Sequence, residues 1–160
     1  MKMLIASGLA FVFSTAQADT GYEFRAVDFP GAANTFLFAV NNLGHFVGAE
    51  TDTAGANHAI FDDGLQLRLL DPSGVVGTSG QSWAFSINNR QQILGAFADA
   101  AKVQHNFLKT GHDFRPFDLP ARFGASFVSA QTVNDLDEIV GYYLDASSVA
   151  HGFVATHVRH

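Results

Sequence analysis

The stretch Val133 to Phe153 reads "VNDLDEIVGYYLDASSVAHGF", and two earlier stretches say nearly the same thing. "VNNLGHFVGAETDTAGANHAI" runs from Val40, and "INNRQQILGAFADAAKVQHNF" runs from Ile87. Anchored on Asn41, Asn88 and Asn134, the copies share a glycine seven residues on (Gly48, Gly95, Gly141). They share an aspartate at eleven (Asp52, Asp99, Asp145) and a histidine at seventeen (His58, His105, His151). Internal periods of this size mark repeat architectures, in which each unit buries its apolar face only against a neighbour. Three tandem copies follow, spanning approximately residues 22–66, 67–112 and 113–160.

Each copy predicts four short strands. The first is "FRAVDF", "LRLLD" or "FRPFDL", ended by a proline that cannot donate to a ladder. In the second, Phe36, Phe38 and Val40 alternate with smaller residues at period two, and Trp83, Phe85 and Ile87 take the same places in the next copy. Phe46, Ile93 or Ile139 lies in the third strand, and "HAIF", "HNFL" or "HGFV" forms the fourth. Asn and Asp between second and third strands are turn residues, because their side chains bond to nearby backbone and tolerate left-handed conformations. "FADAAKVQHNF" has good helix propensity taken alone, but its counterparts do not share it, so residues 100–104 are expected to form a loop. Copy three carries Ser129 and Gln131 where copy two has Trp83 and Phe85, which predicts a less buried second strand at the end of the array.

The outer limits of the chain read as follows. Lys2, the apolar run from Met3 to Phe13 and the small-x-small Ala16-Gln17-Ala18 form a signal-peptide pattern, with cleavage expected before Asp19. Residues 19–160 then form one domain, exported to the periplasm or beyond, with no further apolar run of transmembrane length. The absence of cysteine excludes disulfides and thiolate metal sites. Removing Lys2 takes the formal charge from −6 to −7, a poor balance for binding nucleic acid.

The Asp–His pairs are the most suggestive polar feature. In each copy His follows Asp by six residues, so the two side chains would meet across the mouth of a hairpin. A carboxylate–imidazole bond there is charge-assisted and would act as a strut for the loop. One His and one carboxylate per copy are too few for a metal site unless copies converge. No GxSxG, HExxH or phosphate-loop pattern occurs. No catalytic residue, metal or cofactor is therefore assigned. The twelve recurring residues (Asn41, Asn88, Asn134; Gly48, Gly95, Gly141; Asp52, Asp99, Asp145; His58, His105, His151) are expected to be structural.

With "DFPGAANT" (Asp28 to Thr35), "NDLDEIVGYY" and "HGF" on view, the chain resembles the HAF-type extracellular repeats of bacteria. Copy two departs from that pattern with "DPSGVVGTSG", and Gln91 and Asp137 replace the turn glycine kept at Gly44. The resemblance implies propeller-like blades and no particular activity. The fold expected is all-β, three tandem four-stranded repeats as β-propeller-like blades, with a β-trefoil-like threefold barrel as the alternative. "DDGLQ" and "KTGHD" suggest hairpins from each fourth strand into the next copy's first. The first strand, 22–29, and the last, 151–157, are then left without neighbours and should pair, within one chain or between two.

The function expected is an exported, non-enzymatic binding or scaffold module, with a glycan or other surface ligand and a homo-oligomer as candidate partners. Its loops at 53–57, 100–104 and 146–150 would make the contacts. The alternative is a carbohydrate-active enzyme, a glycosidase or lyase, which needs two convergent acids that break the repeat. Asp137 and Glu138 break it, but beside a turn, where exposed charge is ordinary. Tyr142 and Tyr143 could stack on a sugar, though neighbours in a strand face opposite ways, so at most one would serve.

Overall fold

The fold is described from a computed structural model. It covers residues 21–70 and 78–157, so the signal-peptide pattern, the Asp71-Pro72 pair and His160 lie outside the described residues. The chain is all-β, built as three antiparallel sheets of four, four and three strands, none of which closes into a barrel. The first sheet holds β1 (Asn34–Val40), β2 (Phe46–Thr51), β3 (Asn57–Asp62) and β4 (Leu67–Leu69). The second holds β5 (Thr78–Ile87), β6 (Ile93–Asp99), β7 (Gln104–Thr110) and β8 (Asp113–Pro116). A short 3-10 turn, Ala121–Phe123, leads to the third, with β9 (Phe127–Val133), β10 (Ile139–Leu144) and β11 (Ala150–Ala155). Each sheet is a meander in sequence order.

The sheets are out of phase with the sequence copies. "LRL" and "FRP" are strands, but β4 pairs with β3 and β8 with β7, so each ends the sheet before it. The hairpins expected from "DDGLQ" and "KTGHD" are both present. Residues 24–29, expected as the opening strand, form none. The reason is positional: "FRAVDF" has no preceding sheet to pair with, and a strand without a ladder partner leaves its backbone groups unbonded. No helix interrupts residues 100–104; a turn leads into β7 at Gln104. Tertiary pairing overrides local propensity there.

The inner pairs share one register. Leu37 opposes Gly48, Ala84 opposes Gly95, and Ala130 opposes Gly141. Immediately beyond these pairs each inner strand carries a bulge, skipping Phe38, Phe85 and Gln131. The recurring glycine follows from this close approach. A Cβ on Gly48 would lie 1.8 Å from the Phe36 carbonyl oxygen, on Gly95 2.2 Å from that of Trp83, and on Gly141 2.2 Å from that of Ser129. Only glycine lets the inner backbone cross there.

The second sheet is the middle layer. Val47, Ala59, Phe61 and Leu70 of the first sheet's side pack on Ile93, Phe97 and Phe107. On its other face Leu94 meets Ala130, Val133, Ile139 and Phe153. Phe46, Ile93 and Ile139, which open the third strand of each copy, are all buried. The expectation for copy three holds only in part. Gln131 is exposed, but Ser129 is 5% exposed and accepts a hydrogen bond from the Gln131 amide at 2.5 Å.

Candidate functional site

One five-residue turn is used six times. At one end of the sheets it begins with Asn41, Asn88 or Asn134, and at the other with Asp52, Asp99 or Asp145. In each, the first side chain's Oδ1 accepts the backbone N–H groups two and four residues on, at 2.8–3.0 Å. The fourth residue is left-handed: Gly44, Gln91 and Asp137 at one end, Gly55, Lys102 and Ser148 at the other. This is a type I turn closed by a left-handed residue, a common three-residue hairpin loop. Gln91 and Asp137 thus keep the turn that Gly44 makes, at the cost of a left-handed conformation for a non-glycine residue.

Asn and Asp are chosen by what the remaining side-chain atom does. Asn41 Nδ2 donates to the Asn88 carbonyl at 3.0 Å, and Asn88 Nδ2 donates to the Asn134 carbonyl at 2.9 Å. Beside them the Asn42 N–H donates to Asn89 Oδ1, and the Asn89 N–H to Asp135 Oδ1. The Asn turns therefore staple one sheet to the next, a role beyond turn formation that sequence alone did not assign. Asp137 and Glu138, the acids that break the repeat, serve these turns: Asp137 pairs with Arg90, and Glu138 accepts the Asn134 amide at 2.6 Å.

At the opposite end the aspartate's second oxygen faces histidine. The Asp52–His58, Asp99–His105 and Asp145–His151 pairs span 3.3, 3.0 and 3.3 Å. All three carboxyls are held below the ordinary aspartate value, Asp99 chiefly by the His105 bond, Asp52 and Asp145 chiefly by the backbone N–H groups of Ala56 and Val149. The expected strut is present in every copy. Among the described residues no group of three His, Asp or Glu side chains is placed to hold a metal.

One position makes the three hairpins unequal. Opposite His105 lies Phe97 and opposite His151 lies Tyr143, each ring stacked on the imidazole with centroids 5.3 and 5.0 Å apart. Opposite His58 lies Glu50, which is 4% exposed. Burial pushes the Glu50 carboxyl up, His58 draws it down, and Asp52 pushes it up again. Aligning offset nine of the copies (Glu50, Phe97, Tyr143) would have shown this in the sequence. Tyr143 is committed to His151 and Phe123, while Tyr142 is 40% exposed beside Phe127.

A cleft of about 530 Å³ opens between the outer hairpins of the first and second sheets. Its walls carry Arg68, Arg90, Lys109 and His112 around Phe61 and Phe114. The Arg68 guanidinium lies 5.0 Å from the Phe61 ring centre and the Lys109 ammonium 5.8 Å from that of Phe114. Burial, and next the charge of Arg68, push the Lys109 ammonium below its ordinary value. Arg68 pairs with Asp63 at 2.8 Å and Arg90 with Asp137, so both cations are oriented while still lining the opening. The sequence hid this site because Arg68 belongs to the first sheet and Lys109 to the second, a division that the phasing of the copies does not show. Comparison with protein-family models, with curated proteins and with solved structures found no match. No described helix is long and apolar enough to cross a membrane.

Proposed function

We propose that the chain is an exported, non-enzymatic binding or scaffold module of propeller-like blades, with the cation-lined cleft as its ligand site. The observation that carries this reading is the gathering of Arg68, Arg90 and Lys109 at one opening in a chain whose formal charge is −6. Cations brought close together raise one another's free energy, and an anion between them offsets it. The half-buried Phe114 ring at the same opening suits a ligand that carries some apolar surface as well as a charge. A short acidic sugar or a phosphate monoester fits that chemistry. A long polyanion would meet the surrounding carboxylates. The shared register of the three sheets and the resemblance to HAF-type repeats support the blade reading.

The test is calorimetric titration with galacturonic acid di- and trisaccharides, their neutral counterparts, and inorganic phosphate. The anionic ligands should bind, weakening as salt rises, and Arg68→Gln with Lys109→Met should reduce affinity at least tenfold. Equal binding of neutral sugars, or unchanged binding by that variant, overturns the reading.

The carbohydrate-active enzyme keeps one supporting observation, the raised Glu50 carboxyl beside Asp52 and His58. An upward shift is the direction a general acid requires. Release of reducing ends or unsaturated products from a polysaccharide panel, lost in Glu50→Gln, would favour it.

A further inference from the structure

We propose that two copies of this chain join head to tail, residues 24–26 of each adding the missing fourth strand to the third sheet of the other. The inference rests on the sheet geometry and stands apart from the cleft.

The third sheet is one strand short. In the complete sheets the outer strands carry Leu67-Arg68 and Phe114-Arg115, with Arg68 opposite Phe61 and Arg115 opposite Leu108. The chain holds one more such pair, Phe24-Arg25, and it lies in no strand. Carrying the register over places Val154 opposite the partner's Arg25, Phe153 opposite the partner's Ala26, and Ala155 opposite the partner's Phe24. The surfaces involved are apolar and open: Phe24 is 64% exposed and Val154 68%. In the complete second sheet the matching Phe114 packs edge-on against Phe107, centroids 5.3 Å apart. Phe24 would reach Phe153 in the same way.

The turn ladder points the same way. It runs with one polarity, each Asn turn donating to the next. The last turn therefore presents Asn134 Nδ2 and the Asp135 N–H toward a following sheet, and the first presents the Asn41 carbonyl and Asn42 Oδ1 toward a preceding one. Donors at one end match acceptors at the other. They cannot meet within one chain, since the second sheet stands between the first and third with both its faces packed. A second copy supplies both ends at once, and two equal contacts close a ring of six four-stranded sheets with twofold symmetry.

The chain has no cysteine, which makes a register test clean. Phe24→Cys with Ala155→Cys places two thiols opposite each other in neighbouring strands, a spacing that a disulfide can span. A covalent dimer on a non-reducing gel, absent in either single variant, is expected. Light scattering at high micromolar concentration should give twice the chain mass. Arg25→Pro with Ala26→Pro should give one chain mass. Of two adjacent strand residues one points its N–H at the partner, so the double change removes that donor whichever it is. Its Trp83 emission and circular dichroism should be unchanged, because these residues lie in no ladder within the chain. A single-chain mass for the unaltered protein, a disulfide closed within one chain, or a dimer that survives the two prolines overturns the proposal.

Discussion

Replacing Gly95 by alanine should destabilise the protein although alanine is ordinarily the better residue. Gly95 sits in β6 with no left-handed backbone, so chain entropy alone favours alanine by about 0.5–1 kcal/mol. Against that, the new Cβ would stand 2.2 Å from the Trp83 carbonyl oxygen and 2.4 Å from Phe107 Cζ. The Phe107 ring could tilt, but Trp83 is backbone in the adjacent strand, and relief requires β5 to retreat by about 1 Å. That retreat stretches the ladder on both sides of Ala84–Gly95, and over-packing of this kind costs about 1–3 kcal/mol, occasionally more. The net loss expected is about 2 kcal/mol. With a urea slope of about 1–3 kcal/mol per molar, the unfolding midpoint should fall by about 1 M. Trp83, the single tryptophan, lies half-buried in the strand concerned and reports the transition by fluorescence. Gly152→Ala is the control: its Cβ would meet nothing nearer than the Gly141 oxygen at 3.9 Å, so its midpoint should hold or rise slightly. Equal midpoints for the two variants would refute the account of why this glycine recurs.

Other outcomes follow from the turns and from Glu50 in β2. Asn88→Asp keeps the turn acceptor but sets a carboxylate oxygen against the Asn134 carbonyl, and should cost about 1–3 kcal/mol by urea unfolding. The Asp52, Asp99 and Asp145 carboxyls have folded values below the ordinary 3.8, so their contribution is complete above that pH and is lost as pH falls through the folded values. Melting temperature should therefore drop on acidification below about pH 4, and Asp99→Asn should flatten that limb. Glu50 is the opposite case. Its folded value is raised above 4.5, so the fold binds the proton more tightly, and stability falls as pH rises from 4.5 through the folded value. Glu50→Gln should melt higher than the parent at pH 7 and alike below pH 4. Glu50→Tyr should gain further by stacking on His58 as Tyr143 stacks on His151, an arrangement worth about 0.5–1.5 kcal/mol.

Much of the architecture was legible from offsets alone. Asn41, Asn88 and Asn134 marked the turns because an Asx side chain bonds its own backbone, a local interaction needing no knowledge of the rest. The Asp–His struts were legible for the same reason, six residues being the span of one hairpin mouth. Phasing was not legible. "LRLLD" and "FRPFDL" head their copies in sequence, yet each finishes the preceding sheet, because strand membership is set by which neighbour accepts the ladder. The strand carrying Ser129 was expected to be less buried, yet Ser129 is buried, since its burial comes from the sheet it faces rather than from its own polarity.

The sequence by itself determined that three like units of short strands exist, where their turns fall, and which residues close each hairpin. These are interactions within about twenty residues, and a repeat writes them out three times. Tertiary structure alone decided why glycine recurs, why the turn at one end needs an amide, and which cations share a cleft. Those answers depend on atoms distant along the chain: twelve residues apart in paired strands at Gly95 and Trp83, and forty-six apart between stacked sheets at Asn88 and Asn134.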